Sequence, residues 1–230
     1  MSATKIMEPE DAIQKVKTGD ILMVGGFGLI GSPLTLINEL TRHDARELTV
    51  ISNNVGESGK GLGILLQQGK LKKAIGSYFT SNRDVAKWYN KGKLELELLP
   101  QGTFSEAIRA GGAGIGGFYT KTAAGTELAK GKETKVIDGE TYLLEKPLKA
   151  NVALIRAWKS DTKGNLVFYK TARNFNPVMA TAADYVIAEV DEIVEEGELS
   201  PEEIVTPHLF VDAIITSSLI LTKEGVKEIG

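Results

Sequence analysis

Apolar residues fall in short runs, and stretches with helical spacing separate them. Ile21-Leu22-Met23-Val24 predicts a strand and Pro33 to Leu40 a helix. Leu48 to Ile51 predicts a second strand and Leu62 to Gln68 a second helix. Lys73 to Tyr78 is extended in pattern and Val85 to Asn90 helical. Leu94 to Leu98 alternates apolar residues with Glu95 and Glu97, and Phe104 to Arg109 is again helical. Short strands separated by helices predict βαβ units, and so an α/β fold with an open, mainly parallel sheet and flanking helices.

The pattern changes after residue 110. AGGAGIGGF, 110 to 118, is too rich in glycine for a regular helix interior. Lys135 to Ile137, the pair Asp138-Gly139 and Glu140 to Leu144 predict a hairpin on a two-residue turn. Val152 to Trp158, the turn Lys163-Gly164-Asn165 and Leu166 to Tyr169 predict a second hairpin. Pro177 to Ala183 reads as a helix, Tyr185 to Val190 as a buried strand and Leu209 to Ile215 as another strand. The acids between Glu189 and Glu203 read as a solvated charged face and loop. With no internal repeat or linker, residues 1 to 230 read as a single domain whose parallel sheet carries an antiparallel hairpin elaboration.

Composition narrows the function. A chain of 230 residues with 42% hydrophobic and 25% charged residues is ordinary for a globular protein with a real core. A net charge of −3 argues against a nucleic-acid binder. No run of apolar residues is long enough for a membrane span, and the N-terminal stretch lacks the apolar core of a signal peptide. There is no cysteine, which excludes disulfides and thiolate chemistry and suits the cytoplasm. His43 and His208 are the only histidines, so a histidine-rich metal site is not expected.

The most distinctive stretch is VGGFGLIGSP, 24 to 33, at the carboxyl end of the first predicted strand. Ser32 is a candidate helix N-cap and Pro33 a candidate first helical residue. Gly26-x-Gly28-x-x-Gly31 has the spacing of a dinucleotide fingerprint, but the acidic residue expected about 20 positions on is missing. The second strand ends instead in Ile51-Ser52-Asn53-Asn54. The glycines fit either a tight turn with close helix packing or backbone approach to a ligand. The remaining strand ends carry Tyr78-Phe79-Thr80 and Pro100-Gln101-Gly102-Thr103. On one sheet edge these loops would offer amides and hydroxyls with almost no charge. Such a surface polarises a carbonyl or seats a polar ligand. It does not suit acid–base work, and each amide taken singly also fits a loop-stabilising role.

Four blocks, GGFGLIGSP, ISNN, LELELLPQGTFSEAIRAGGAGIGGFYT and KTARNFNP, together resemble the A (alpha) subunit of the two-subunit class I coenzyme A transferases. The resemblance runs from about Lys5 to about Ile215. It implies transfer of coenzyme A between short-chain carboxylic acids such as acetate, butyrate, acetoacetate, succinate and 3-oxoadipate. The implied mechanism is ping-pong, through a glutamyl-CoA thioester whose glutamate lies on a B (beta) subunit. It implies no cofactor, acyl-CoA as substrate, and a heterotetramer of two A and two B subunits. Gln101, in the PQGT block, matches the family's oxyanion-stabilising glutamine. The loop of Gly25, Gly26, Phe27, Gly28 and Gly31 would line the cleft between subunits, with Phe27 walling the acyl pocket. Asn54 and Asn176 are further candidates to line it, and Ala110 to Gly117 would lie beside it or pack without touching ligand. Glu57-Ser58-Gly59 spells the Glu-x-Gly arrangement of the family's nucleophile, but in a place where A subunits do not carry it. Arg173 fits a ligand phosphate or carboxylate, or a salt bridge to a neighbouring acid. GESGK, 56 to 60, and the tail from Ser217 match no substrate subgroup. The alternative is a sensor of the same fold that binds acyl-CoA without turning it over.

Overall fold

A computed structural model describes residues 5 to 229 of the chain. The first half runs α1 (Pro9–Ile13), β1 (Ile21–Val24), α2 (Leu34–Arg42), β2 (Leu48–Ile51), α3 (Leu62–Gln67), β3 (Leu71–Gly76), α4 (Arg83–Asn90), β4 (Glu95–Leu98) and α5 (Gln101–Gly112). Next come β5 (Phe118–Thr120), β6 (Thr134–Ile137), β7 (Glu140–Glu145), β8 (Ala150–Arg156), β9 (Lys159–Asp161) and β10 (Leu166–Val167). The last elements are α6 (Asn176–Ala180), β11 (Ala183–Val190), β12 (Glu192–Val194), β13 (Ala213–Thr216), β14 (Leu219–Thr222) and β15 (Gly225–Glu228).

Seven strands form one sheet in the order β13-β11-β8-β1-β2-β3-β4. Every neighbouring pair in it is parallel. Leu22 of β1 stands level with Val50 of β2 and Val152 of β8. Because β1 is central, both of its faces are buried, which explains its unbroken apolar run. Leu22 and Val24 join one core with Ile37, Leu40, Leu65 and Leu66. Met23 joins the other with Phe104, Ile108 and Met179. So α1 to α4 cover one face, and α5 and α6 cover the other. The predicted α/β sheet with flanking helices is what the chain builds.

The elaborations differ in places. The Asp138-Gly139 turn joins β6 to β7 with both residues at positive φ, +50° and +79°, as that turn type requires. The expected second hairpin is shorter than the pattern suggests. Val152 to Arg156 belongs to the main sheet as β8, and the hairpin is β9 with β10. The expected strand from Leu209 begins instead with a 3₁₀ turn, His208–Phe210, and only Ala213–Thr216 joins the sheet. The glycines after Ala110 do not end α5, which continues through Gly112. Its last turns pack so closely on the link into β8 that Leu148 N donates to Ala107 O at 2.8 Å. The tail folds as the antiparallel pair β14–β15.

The largest correction concerns Glu189. It is not part of a solvated acidic face, because it sits in β11 in register with Arg156 of β8 and is fully buried. Oε2 accepts from the backbone N–H groups of Thr35 (2.9 Å) and Leu36 (3.1 Å). Oε1 accepts from Ser217 Oγ (2.6 Å) and from the Arg156 guanidinium. Burial pushes this carboxyl above its ordinary range, while Arg156, Ser217, Leu36 and Thr35 pull the other way. Both oxygens act only as acceptors, the arrangement that an ionised carboxylate serves. The expected Ser32 cap is therefore absent: α2 begins at Leu34 without a local side-chain cap, and β11 supplies one from across the sheet. At the other end of α2, the buried Lys70 donates to Leu40 O (3.1 Å) and to His43 O. Opposite charges thus complement both ends of the helix dipole, each worth up to ~2 kcal/mol when partly buried.

Glu189→Gln puts an amide N–H₂ against donors and leaves Arg156 with only the more exposed Asp191 as a charge partner. The expected loss of stability is about 3–5 kcal/mol. It is read as a lower urea midpoint with an unchanged slope, and an unmoved midpoint contradicts the assignment.

Candidate functional site

The order of the strands defines where a ligand can meet the sheet. The chain leaves β1 toward β2, β3 and β4, then crosses back to β8, β11 and β13, so the winding reverses between β1 and β8. Open α/β sheets offer a crevice at the carboxyl ends of their strands at such a point. Here the chain fills it with its own Asn174-Phe175-Asn176. Asn176 is fully buried. Its Oδ1 accepts from Arg156 N (2.9 Å), and its Nδ2 donates to Gly31 O (3.0 Å) and Ala172 O (2.9 Å). Asn174 Oδ1 accepts from Gly26 N (3.1 Å), and its Nδ2 donates to Ile30 O (3.0 Å). The two asparagines therefore clasp both arms of the glycine loop.

The clasp explains the bare backbone. A Cβ on Gly25 would lie 1.8 Å from Asn176 Oδ1, and one on Gly31 would lie 2.4 Å from Ala172 O. Gly31 also sits at φ +70°. Gly28 and Leu29 make the two-residue tip of the loop, closed by Phe27 N to Ile30 O (2.9 Å) and Ile30 N to Phe27 O (3.2 Å). The tip holds Phe27 at 50% exposure and Ile30 at 48%, while Leu29 is buried. With Glu189 on the first amides of α2, this helix end is closed to an external phosphate. That removes the dinucleotide reading on physical grounds as well as on spacing.

What stays open lies beside β1, over β2 to β4. Asn53 and Asn54 are both buried. Asn53 Nδ2 donates to Ser77 Oγ (2.9 Å) and Gln101 Oε1 (3.3 Å). Asn54 Nδ2 donates to Asn53 Oδ1 (3.0 Å), and Asn54 Oδ1 accepts from Gly56 N (2.8 Å). Gln101 is the first residue of α5, on a helix end without a side-chain cap, and is exposed. Its carbonyl end is engaged by Asn53, which leaves Nε2 as a donor without a protein acceptor among the described residues. Every group hydrogen-bonded to Gln101, directly or through Asn53, is an amide or a hydroxyl. A neutral donor held in this way, at the positive end of a helix, suits a developing oxyanion.

Asn176 and Asn54 hold the loops through side chains already hydrogen-bonded within the chain. Glu57 lies at a second two-residue turn, and its carboxylate pairs with Lys60 at 3.2 Å, both about half exposed. Arg173 is exposed and makes no ion pair among the described residues. Gly111 packs under Leu148. Reading the sequence missed Asn174, Arg156 and Glu189. The two asparagines of KTARNFNP carried a visible signal for the first, whereas Arg156 and Glu189 meet only through strand pairing.

Comparison with known proteins agrees with this geometry. Residues 6 to 217 match the family model described as Coenzyme A transferase. The chain is 50% identical over 206 residues to the A chain of the probable succinyl-CoA:3-ketoacid coenzyme A transferase of Bacillus subtilis, covering 90% of this chain and 87% of that one. It is 46% identical over 214 residues to the alpha chain of the acetate CoA-transferase of Escherichia coli, covering 93% and 97%. Among solved structures, an acyl-CoA transferase from E. coli O157:H7, in a thioester complex with CoA, superposes with a TM-score of 0.82 at 22% identity. That match covers 93% of this chain and 47% of the other, so this chain spans about half of it and the likeness carries the fold alone. Sequence, strand order and the two close relatives together place the chain in the coenzyme A transferase family, among the A subunits.

Proposed function

We propose that this chain is the A half of a cytoplasmic CoA-transferase that moves coenzyme A between short-chain carboxylic acids in concert with a B subunit. The observation that carries the reading is Gln101, its carbonyl held by Asn53 and its amide donor free. On this reading a glutamate carboxylate of the partner attacks the acyl-CoA thioester. A C–O bond forms, the C–S bond breaks, and CoA thiolate leaves. The thiolate then attacks the glutamyl carbonyl of the resulting anhydride, which releases the first acid as its carboxylate. A second carboxylate reverses the sequence and leaves as the new acyl-CoA. No net proton moves, so a neutral amide suffices where charge collects on the carbonyl oxygen. The reaction needs acyl-CoA as substrate and no cofactor.

The carboxyl edge supports a partner there. Phe27, Ile30, Tyr78 and Trp158 stand exposed after β1, β3 and β8. Apolar side chains gathered on one edge fit a protein interface. A heterotetramer of two A and two B subunits completes the proposal. Glu57 does not stand in for the partner's glutamate, because it is solvated and paired with Lys60. Among the described residues no helix is long and apolar enough to cross a membrane. A sensor of the same fold gains no support, since the Gln101 donor is free.

The reading predicts CoA transfer from acetoacetyl-CoA to acetate or succinate only when the chain is paired with its B subunit. Transfer by the chain alone contradicts it. In the pair, Gln101→Ala lowers kcat by about 10²–10³ with the complex intact on gel filtration. Wild-type turnover in that variant removes the oxyanion role. Glu57→Gln leaves kcat nearly unchanged, and a loss of orders of magnitude makes Glu57 the nucleophile instead.

A further inference from the structure

The amide chain behind Gln101 has its direction fixed from one end to the other. Gly56 N–H can only donate, so Asn54 turns its Oδ1 toward it. Asn54 Nδ2 then faces Asn53 Oδ1, which leaves Asn53 Nδ2 as the next donor. That nitrogen carries two protons and uses both, one on Gln101 Oε1 (3.3 Å) and one on Ser77 Oγ (2.9 Å). Every bond runs the same way, so each polarises the next. The chain branches at Asn53 and ends in two groups that accept from it. Gln101 has Nε2 left to donate, and Ser77 has its hydroxyl proton. Neither donor has an acceptor among the described residues.

The backbone brings the two donors to one place. Ser77 follows β3, and Gln101 opens α5 just after β4, the neighbour of β3 in the sheet. Leu99 N donates to Gly76 O (2.9 Å), which ties the residue before Ser77 to the approach to Gln101. Ser77 N and Tyr78 N both donate to Asn53 O, at 3.1 and 3.0 Å. So close an approach of strand ends requires Gly76, where a Cβ would lie 2.3 Å from Ser52 O. A ligand can reach both donors. Ser77 is partly exposed, Gln101 is exposed, and a Cβ on Gly102 would meet nothing within 4 Å.

We infer that Ser77 is a second catalytic donor of this chain, its hydroxyl meeting the same thioester carbonyl oxygen as Gln101 Nε2. The inference rests on the CoA-transfer reading and adds a residue to its machinery. The carbonyl oxygen gains charge as its carbon becomes tetrahedral, and a second donor then stabilises it further. The hydroxyl proton turns about the Cβ–Oγ bond, so it can follow that oxygen as the geometry changes. Both donors are neutral and held by one nitrogen, so Asn53 is the positioning residue for the pair.

The test uses the A–B pair with acetoacetyl-CoA as donor and acetate or succinate as acceptor. Ser77→Ala lowers kcat about tenfold, with the complex intact on gel filtration. KM for the acid stays near its wild-type value, because the bond is made in the transition state. A purely structural Ser77 would act only by holding Asn53, and through it Gln101. The Gln101→Ala background separates the two roles, since it removes what Asn53 positions. A direct donor still counts there, so adding Ser77→Ala lowers kcat about tenfold again. Wild-type kcat in Ser77→Ala overturns the inference. A loss that vanishes in the Gln101→Ala background overturns it too, and reduces Ser77 to a support for Asn53. Either result leaves CoA transfer standing. A wild-type pair that transfers CoA to no carboxylate removes the underlying reading and the inference with it.

Discussion

A buried carboxylate at the head of α2 is the contact on which the working edge of this molecule depends. Glu189 joins β11, β8 and α2 through Arg156, Ser217 and two backbone amides. Desolvating a carboxylate and a guanidinium costs several kcal/mol each, so the site is stable only because every acceptor position finds a donor. In return the start of α2 is fixed against the sheet, and with it the return arm of the glycine loop. Arg156 then connects this contact to the loop, since its backbone N–H is held by Asn176, which also holds Gly31. Loop, helix and switch-point strands are therefore one hydrogen-bonded unit.

This unit divides the carboxyl edge into a filled part and an open part. Between β1 and β8, where an open α/β sheet would offer a nucleotide crevice, asparagine side chains and Glu189 satisfy the available amides. Over β2 to β4, the start of α5 has no capping side chain, and Gln101 stands there with its donor free. The chain closes one helix end with a charge of its own and leaves the other uncapped, which on the proposed reading serves a charge that develops during reaction. An uncharged ledge of this kind does not perturb a nearby nucleophilic carboxylate. That is consistent with the nucleophile arriving on the partner and the oxyanion donor residing here.

Much of the framework was legible in the sequence. The runs at 21–24 and 48–51 were legible as strands because a parallel sheet covered on both faces favours apolar residues at successive positions. The glycine loop and Gln101 stood out by residue type and place. The acid run from Glu189 did not reveal its first member, because local pattern cannot show that Arg156 pairs with it from 33 residues away. The same limit hid the source of the α2 cap: Ser32 is well placed along the chain, but a carboxylate from another strand takes the position. Lengths also went astray where packing decides them. The β8 strand belongs to the sheet although its sequence continues smoothly toward a turn, and α5 keeps its helix through Gly112 because the neighbouring chain presses close. The role of Asn176 turned on geometry as well, since an amide in such a block can equally face a ligand or a backbone.

The division of labour between the two halves is tested most directly by locating the covalent intermediate. The A–B complex is incubated with acyl-CoA in the absence of an acceptor acid, and the separated chains are weighed by intact-mass spectrometry. The account predicts CoA attached through a thioester to the B chain and this chain at its unmodified mass. A CoA adduct on this chain would contradict it, because it would place the nucleophile among these residues.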